Sequence, residues 1–262
     1  MRVLSLFSGG GLGDYGLELA GMEIVGQVEI DDYCQKILAL RWPHTFKLGD
    51  IKQANFTRTH EGNINVYDGQ KYVLTTEQID LISGGFPCQD ISTAGRGAGI
   101  TGERSGLWKE MLRIIREVRP RYVLVESVTA LLGRGLGVVL GDLAESGFDT
   151  EWDCLPACAF GGPHIRDRVF VVAYPRSQRR EADENFVFNV VDPSWSKARM
   201  GQPFGVVSTE AWLKAYSDYA RNDDGCTAVL ERGNLLGNGQ DVRVVQWIGE
   251  RIMEFHNAQS HR

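Results

Sequence analysis

Along roughly the first two thirds of this chain, short apolar runs alternate with helix-patterned segments, and that alternation leaves few folds open. Residues 3–7 form an apolar run closed by Ser8-Gly9-Gly10-Gly11, and residues 14–20 carry helical spacing up to Gly21. A second strand covers 23–29. Asp31-Asp32 then caps a helix that Pro43 stops just after Trp42. Lys47-Leu48-Gly49-Asp50-Ile51 closes a third short strand. Residues 80–83, 122–125, 150–155 and 168–173 carry strand patterns, and 107–118 and 136–145 helical ones. This order predicts an α/β protein with a doubly wound, mostly parallel sheet covered on both faces.

The character of the chain changes after Tyr174-Pro175. Residues 176–233 are polar and irregular, with turn clusters at Asp192-Pro193-Ser194-Trp195, Gly201-Gln202-Pro203 and Asn222-Asp223-Asp224-Gly225. Helical periodicity returns at Val242, Val245, Ile248, Ile252 and Phe255. We therefore divide the chain into 1–174, 175–233 and 234–262, the last segment being a helix that returns to the first. At 262 residues the length suits one large α/β domain with a small appendage.

No apolar run approaches the roughly 20 residues that span a bilayer. The N-terminus reads as a core strand rather than a signal peptide, which predicts a cytoplasmic protein. Five cysteines without small-domain spacing argue against a disulfide framework. Cys154 and Cys158 lack a second ligand pair, so no metal is expected. A net charge of −6 counts mildly against a general nucleic-acid coat. Arginines nevertheless cluster at Arg113, Arg116, Arg119 and Arg121, at Arg166 and Arg168, and at Arg176, Arg179 and Arg180. Each cluster is either a local basic surface or a solvated face or helix end.

Two segments carry chemistry. The first strand runs into Gly9-Gly10-Gly11-Leu12-Gly13 and then a helix, where glycine lets the backbone approach a ligand. Glu29 follows at the end of the second strand, placed to accept bonds from ribose hydroxyls. Nicotinamide, flavin and adenosylmethionine binders share this pattern, and Leu12 and Ala20 break the spacing of a dinucleotide site. Asp50 is either a turn residue after Gly49 or an acceptor for an adenine amino group at the same sheet edge. The second segment is Gly84-Gly85-Phe86-Pro87-Cys88-Gln89, behind the strand at 80–83. It holds a thiol at the carboxyl end of a strand, where open α/β sheets keep their ligand crevice. Cys88 is a nucleophile there or a small buried thiol.

Taken in order, these segments resemble the C5-cytosine DNA methyltransferases, in the form of the solitary enzymes carried by bacteria and phages. Leu6-Phe7-Ser8-Gly9-Gly10-Gly11 is similar to the family's adenosylmethionine-binding motif, and Gly85-Phe86-Pro87-Cys88-Gln89 to its nucleophile loop. Glu126-Ser127-Val128 stands in the place of its Glu-Asn-Val, and Arg166-Asp167-Arg168 in that of its basic strand. Gly237-Asn238-Gly239 resembles the C-terminal motif that completes the cofactor pocket. The resemblance implies a Rossmann-like methyltransferase sheet with a small irregular target-recognition region, S-adenosylmethionine as cofactor with S-adenosylhomocysteine as product, and double-stranded DNA as partner, bound by a monomer. It implies that Cys88 is the nucleophile, Glu126 the acid at cytosine N3, and Arg168 with Arg166 the groups holding the base carbonyl and a phosphate. By the same likeness Phe7, Ser8, Gly9, Gly11, Glu29, Ile30, Asp50, Ile51, Gly85, Pro87, Leu107 and Asn238 form the cofactor site.

Three features depart from the family pattern. Ser127 replaces the usual asparagine beside Glu126, Leu12 stands where a third glycine is usual, and the segment between Tyr174 and Leu235 is short for target recognition. That shortness leaves room for an oligomer or partner to supply specificity. His164 stands where the family keeps a hydrogen-bonding residue of the site wall. Three other readings compete: an RNA cytosine methyltransferase, a weakly active accessory DNA-binding protein, and a nicotinamide oxidoreductase.

Overall fold

The computed structural model describes residues 1–87, 106–161, 166–178, 187–188 and 239–260. Strands β1 (Arg2–Leu6), β2 (Glu23–Val28) and β3 (Phe46–Leu48) alternate with helices α1 (Leu12–Leu19) and α2 (Asp32–Arg41). A meander of β4 (Ala54–Arg58), β5 (Ile64–Asp68) and β6 (Lys71–Thr76) leads to β7 (Leu81–Gly84). Then come α3 (Leu107–Val118), β8 (Tyr122–Val128), α4 (Leu131–Arg134), α5 (Leu136–Glu145), β9 (Phe148–Pro156) and β10 (Asp167–Pro175). The long α6 (Val242–Ser260) ends the described chain.

The main sheet has seven strands in the order β3-β2-β1-β7-β8-β10-β9. Pairing is parallel from β3 through β8, and β10 runs antiparallel to both its neighbours. This is the doubly wound, mostly parallel α/β sheet that the alternation predicts. The chain winds outward from β1 to β2 and β3, then crosses back to β7 on the other side of β1. The carboxyl ends of β1 and β7 therefore mark the switch point, where such sheets open a crevice.

Both faces of the sheet are buried, so its strands are near-continuous apolar runs. Leu4, Ile82, Val123, Val125 and Val171 face α3, α5 and the meander. Val3, Leu81, Leu124, Phe170 and Val172 face α1, α2 and α6. α3 buries Trp108, Met111, Leu112, Ile115 and Val118 as one stripe and stops at Arg119, which takes a left-handed φ of 51° before Pro120. α6 lies close on α1 through small residues. A Cβ on Gly16 would come within 2.6 Å of the Val242 carbonyl, and one on Gly249 within 2.8 Å of Ala20.

Sequence reasoning assigns no strands between Ile51 and Ile79, yet β4, β5 and β6 form a three-stranded antiparallel sheet there. Each strand buries one face only, with Ala54, Phe56, Ile64 and Val66 inside. Arg113 ties this sheet to α3: it pairs with Glu110 at 2.9 Å and Glu117 at 2.8 Å, and donates to the Ile51 and Ala54 carbonyls at 2.9 Å. Arg116 donates to Ser146 Oγ, and Arg121 pairs with Asp80 at 3.6 Å. Arg113 is half-buried in these bonds, whereas Arg116, Arg119 and Arg121 stay exposed in the last turn of α3 and just beyond it. No helix of the described residues is long and apolar enough to cross a membrane.

Candidate active site

A cleft of about 600 Å³ opens at the carboxyl ends of β2, β1, β7 and β8. Its floor begins at the turn after β1. Phe7 takes a left-handed φ of 56°, Gly9 one of 54° and Gly11 one of 79°. The N–H groups of this turn bond within the fold: that of Ser8 donates to the Val28 carbonyl at 3.2 Å and that of Gly11 to the Ser8 carbonyl at 2.9 Å. Glu29, at the end of β2, fixes the turn: its Oε2 accepts the Gly9 N–H at 2.7 Å, and its Oε1 accepts that of Asp31 at 2.9 Å. Asp50, past β3, accepts the Lys52 N–H at 2.9 Å, so it shapes its own turn while also lining the cleft. Ile30 stands at the mouth with 69% of its surface exposed.

Phe7, Ser8, Gly9, Glu29, Ile30, Asp50, Ile51, Gly85, Pro87 and Leu107 all line this one cleft, together with Glu126 and Arg168. Two expected contacts lie elsewhere. The open side of Gly11 faces Trp42 and Leu38, so glycine there serves the turn and its packing rather than the cleft wall. Arg166 does not line the cleft; its guanidinium donates to the Gly239 carbonyl and so holds the segment entering α6. Cys88, Asn238 and His164 fall outside the described residues; the chain leaves them at Pro87, on the cleft wall, and rejoins them at Gly106.

At the far end of the cleft the register of β8 on β10 assembles a charged pair. Glu126 lies opposite Phe170 and Arg168 opposite Val128, so the two charged residues are diagonal neighbours on one face. Arg168 Nε meets Glu126 Oε1 at 3.0 Å. Glu126 is 8% exposed, and burial holds its carboxyl above the usual range even though Arg168 and Arg166 pull the other way. Such a carboxyl keeps a proton for a hydrogen-bond acceptor more readily than a surface glutamate does. Gly85 leaves room for it: a Cβ there would stand 2.7 Å from Glu126 Oε2. Ser127, beside the acid, is buried on the cleft wall and its hydroxyl has no hydrogen-bond partner among the described residues.

Two lining residues escaped sequence reasoning. Asp14, in the first turn of α1, is buried beneath the cleft, where its carboxylate accepts from Ser5 Oγ at 2.5 Å and Gln27 Nε2 at 2.7 Å. Burial pushes it up to about 6 despite both bonds. Gln240, just before α6, reaches the cleft from the far end of the chain. Asp14 carried a readable signal, an acid one residue past the glycine loop; Gln240 carried none, because its place depends on how α6 docks. Cys34 also lines the cleft, but burial and the nearby Glu29 and Asp31 push its thiol up to about 12. It is therefore no nucleophile at neutral pH.

The chain is 26% identical, over 97% of its length, to the type II methyltransferase M2.BsuMI of Bacillus subtilis (strain 168), of which it covers 76%. It is 32% identical over 70% of its length to the orphan methyltransferase M.Rho11sI of Bacillus phage rho11s, but spans 35% of that protein. It is 33% identical over 65% of its length to the type II methyltransferase M.Eco47II of Escherichia coli, and spans 39% of it. In fold it is similar to the S. pombe Dnmt2 methyltransferase, with a TM-score of 0.65 at 16% identity over 98% of this chain and 99% of that one. The Spodoptera frugiperda DNMT2 structure gives 0.60 at 15% identity over 97% and 98%. Residues 1–225 match the family described as C-5 cytosine-specific DNA methylase, and the chain belongs to that family.

Proposed function

We propose that this protein is a DNA (cytosine-5)-methyltransferase that uses S-adenosylmethionine, acts on a cytosine flipped out of double-stranded DNA, and releases S-adenosylhomocysteine. One observation carries the reading: a single cleft joins acceptors suited to a nucleoside, Glu29 and Asp50, to the buried Glu126–Arg168 pair, with Pro87 on its wall immediately before Cys88. The residues present fit the donor. The Glu29 and Asp50 carboxylates suit ribose hydroxyls and an adenine amine, while Phe7, Ile30, Ile51 and Leu107 offer apolar surface. Asn238, following the family likeness, closes the site. Bound there, the donor supplies an electrophilic methyl group.

Cytosine C5 is a poor nucleophile, and the protein's own groups change that. The Cys88 thiolate adds to C6, forming the S–C6 bond as the C5–C6 double bond opens, so that C5 becomes enamine-like. Glu126 donates its proton to N3, which neutralises the charge that would build on the ring. Arg168 holds Glu126 in place and faces the base carbonyl. Once C5 carries the methyl group, its proton leaves to a base, the electron pair re-forms the C5–C6 double bond as the S–C6 bond breaks, N3 returns its proton to Glu126, and Cys88 is again a thiolate. Access to both ring faces requires the base to leave the duplex. Neither Cys34 nor Cys154 competes for the thiolate role, since burial raises both thiols.

Transfer of tritium from methyl-labelled S-adenosylmethionine, with duplex DNA and transfer RNA as parallel substrates, tests this directly. Label in DNA, mapped to cytosine C5 by bisulfite sequencing, is the expected result. Label in transfer RNA alone would overturn the DNA reading.

A further inference from the structure

We propose that the outer side of α5 is a self-association surface, on which a second copy of this chain docks across a two-fold axis. Three large apolar side chains stand exposed in this layer: Leu132 at 43%, Val138 at 47% and Trp152 at 44%. Leu132 belongs to α4 and Val138 to α5. Trp152 lies on β9, which packs against α5. Strand alternation sets it with Phe148 and Cys154, on the sheet face that α5 covers. None of these residues lines the cleft.

Beside Val138 the helix surface is bare. Gly137 and Gly141 are exposed, and a Cβ on either would meet nothing within 4 Å. Neither takes a left-handed φ, so neither the backbone nor the packing of the chain calls for glycine there. Both weaken the helix relative to alanine. What they offer in return is a shallow groove that admits a side chain from another helix.

Charge along the helix says which partner fits. Leu136, Val139 and Leu143 face the core, which leaves Gly137, Val138, Gly141 and Glu145 on one outward stripe. Two α5 helices packed antiparallel, with the axis between positions 139 and 140, set Val138 of each copy on Gly141 of the other. The same symmetry brings Glu145 of one copy to Arg134 of the other, just ahead of α5. The ends of the helix agree with this pairing. Its first turn has no side-chain cap and its last turn no basic residue. Glu145 therefore lies at the unfavourable end of its own helix dipole, and the partner's amino end relieves it. One ten-residue helix with two flanking apolar side chains is small beside the roughly 800 Å² per partner of a standard interface, so the dimer is weak and concentration-dependent.

Sedimentation velocity of the full chain, from low micromolar to several hundred micromolar, tests the assignment. The unsubstituted protein should pass reversibly from monomer to dimer. Val138→Glu should stay monomeric throughout, with its urea midpoint in dilute solution unchanged. Glu145→Arg and Arg134→Glu should each weaken association roughly tenfold, because the pair occurs twice in the dimer, and the two together should restore it. Gly141→Ala, whose methyl group meets nothing within the chain, should weaken association severalfold while the monomer stays folded. A monomer at every concentration overturns the proposal. So does a dimer indifferent to Val138→Glu, a charge reversal that the double variant does not restore, or an open series of larger species, which a two-fold contact does not form.

Discussion

Position 85 admits only glycine because the buried carboxyl of Glu126 lies 2.7 Å from where a Cβ would be. That carboxyl is held in the cleft by its pairing with Arg168 at 3.0 Å. Gly85→Ala should therefore turn Glu126 away from the cleft and lower methyl transfer roughly 100-fold, the scale of losing a positioned acid. The cost in stability should be about 1–3 kcal/mol, as for other overpacked sites. Single-turnover transfer and urea denaturation measure the two separately, and full activity in the variant would refute the placement of the acid. Asp14 makes a second expectation, in pH. Its carboxyl is held at about 6 in the folded protein against an ordinary 3.8. The folded state then binds more protons than the unfolded one between these values, so this group's effect on stability worsens as pH rises from about 4 through 6. Urea midpoints at pH 5 and pH 7 should show Asp14→Asn gaining on the unsubstituted protein at the higher pH. A constant difference would mean that Asp14 is not perturbed.

Among the elements, α6 docks through glycines. Gly16 meets the Val242 carbonyl and Val245, leaving no space for a methyl group, whereas a Cβ on Gly141 in α5 would meet nothing within 4 Å. Gly16→Ala should cost about 1–3 kcal/mol and loosen the segment that carries Gln240. Gly141→Ala should instead stabilise by about 0.5–1 kcal/mol, the ordinary gain of alanine over glycine inside a helix. Denaturant midpoints for the pair separate close packing from propensity, and equal effects would contradict the observed α1–α6 contact. The β8–β10 register belongs to this scale too. A slip by one residue would turn Arg168 to the opposite face from Glu126, so the charged pair exists only because the strands align as they do.

For the molecule as a whole, the doubly wound sheet was legible because strands buried on both faces are written as apolar runs, such as Val3-Leu4 and Tyr122-Val123-Leu124-Val125. The β4–β6 meander was harder to see, since its strands bury one face each and Tyr72 and Val73 point outward. Asp68-Gly69, a strong hairpin signal, was its legible mark. Of the site, Glu29, Asp50, Glu126 and Arg168 could be found because each stands at a strand end or on an adjoining strand. Gln240 could not, because its partners Gly13 and Gly85 lie more than 150 residues away in the sequence. Arg166 and Gly11 show the converse: their sequence neighbourhood points to the ligand, while the fold uses them to hold the α6 entry and the turn after β1. The central claim, a covalent link between Cys88 and cytosine, is tested most directly by incubating the protein with S-adenosylmethionine and a randomised duplex containing 5-fluorocytosine. A species stable on a denaturing gel should form with the unsubstituted protein and vanish in Cys88→Ala. An adduct that survives that substitution, or none from a protein that binds S-adenosylhomocysteine, would contradict it.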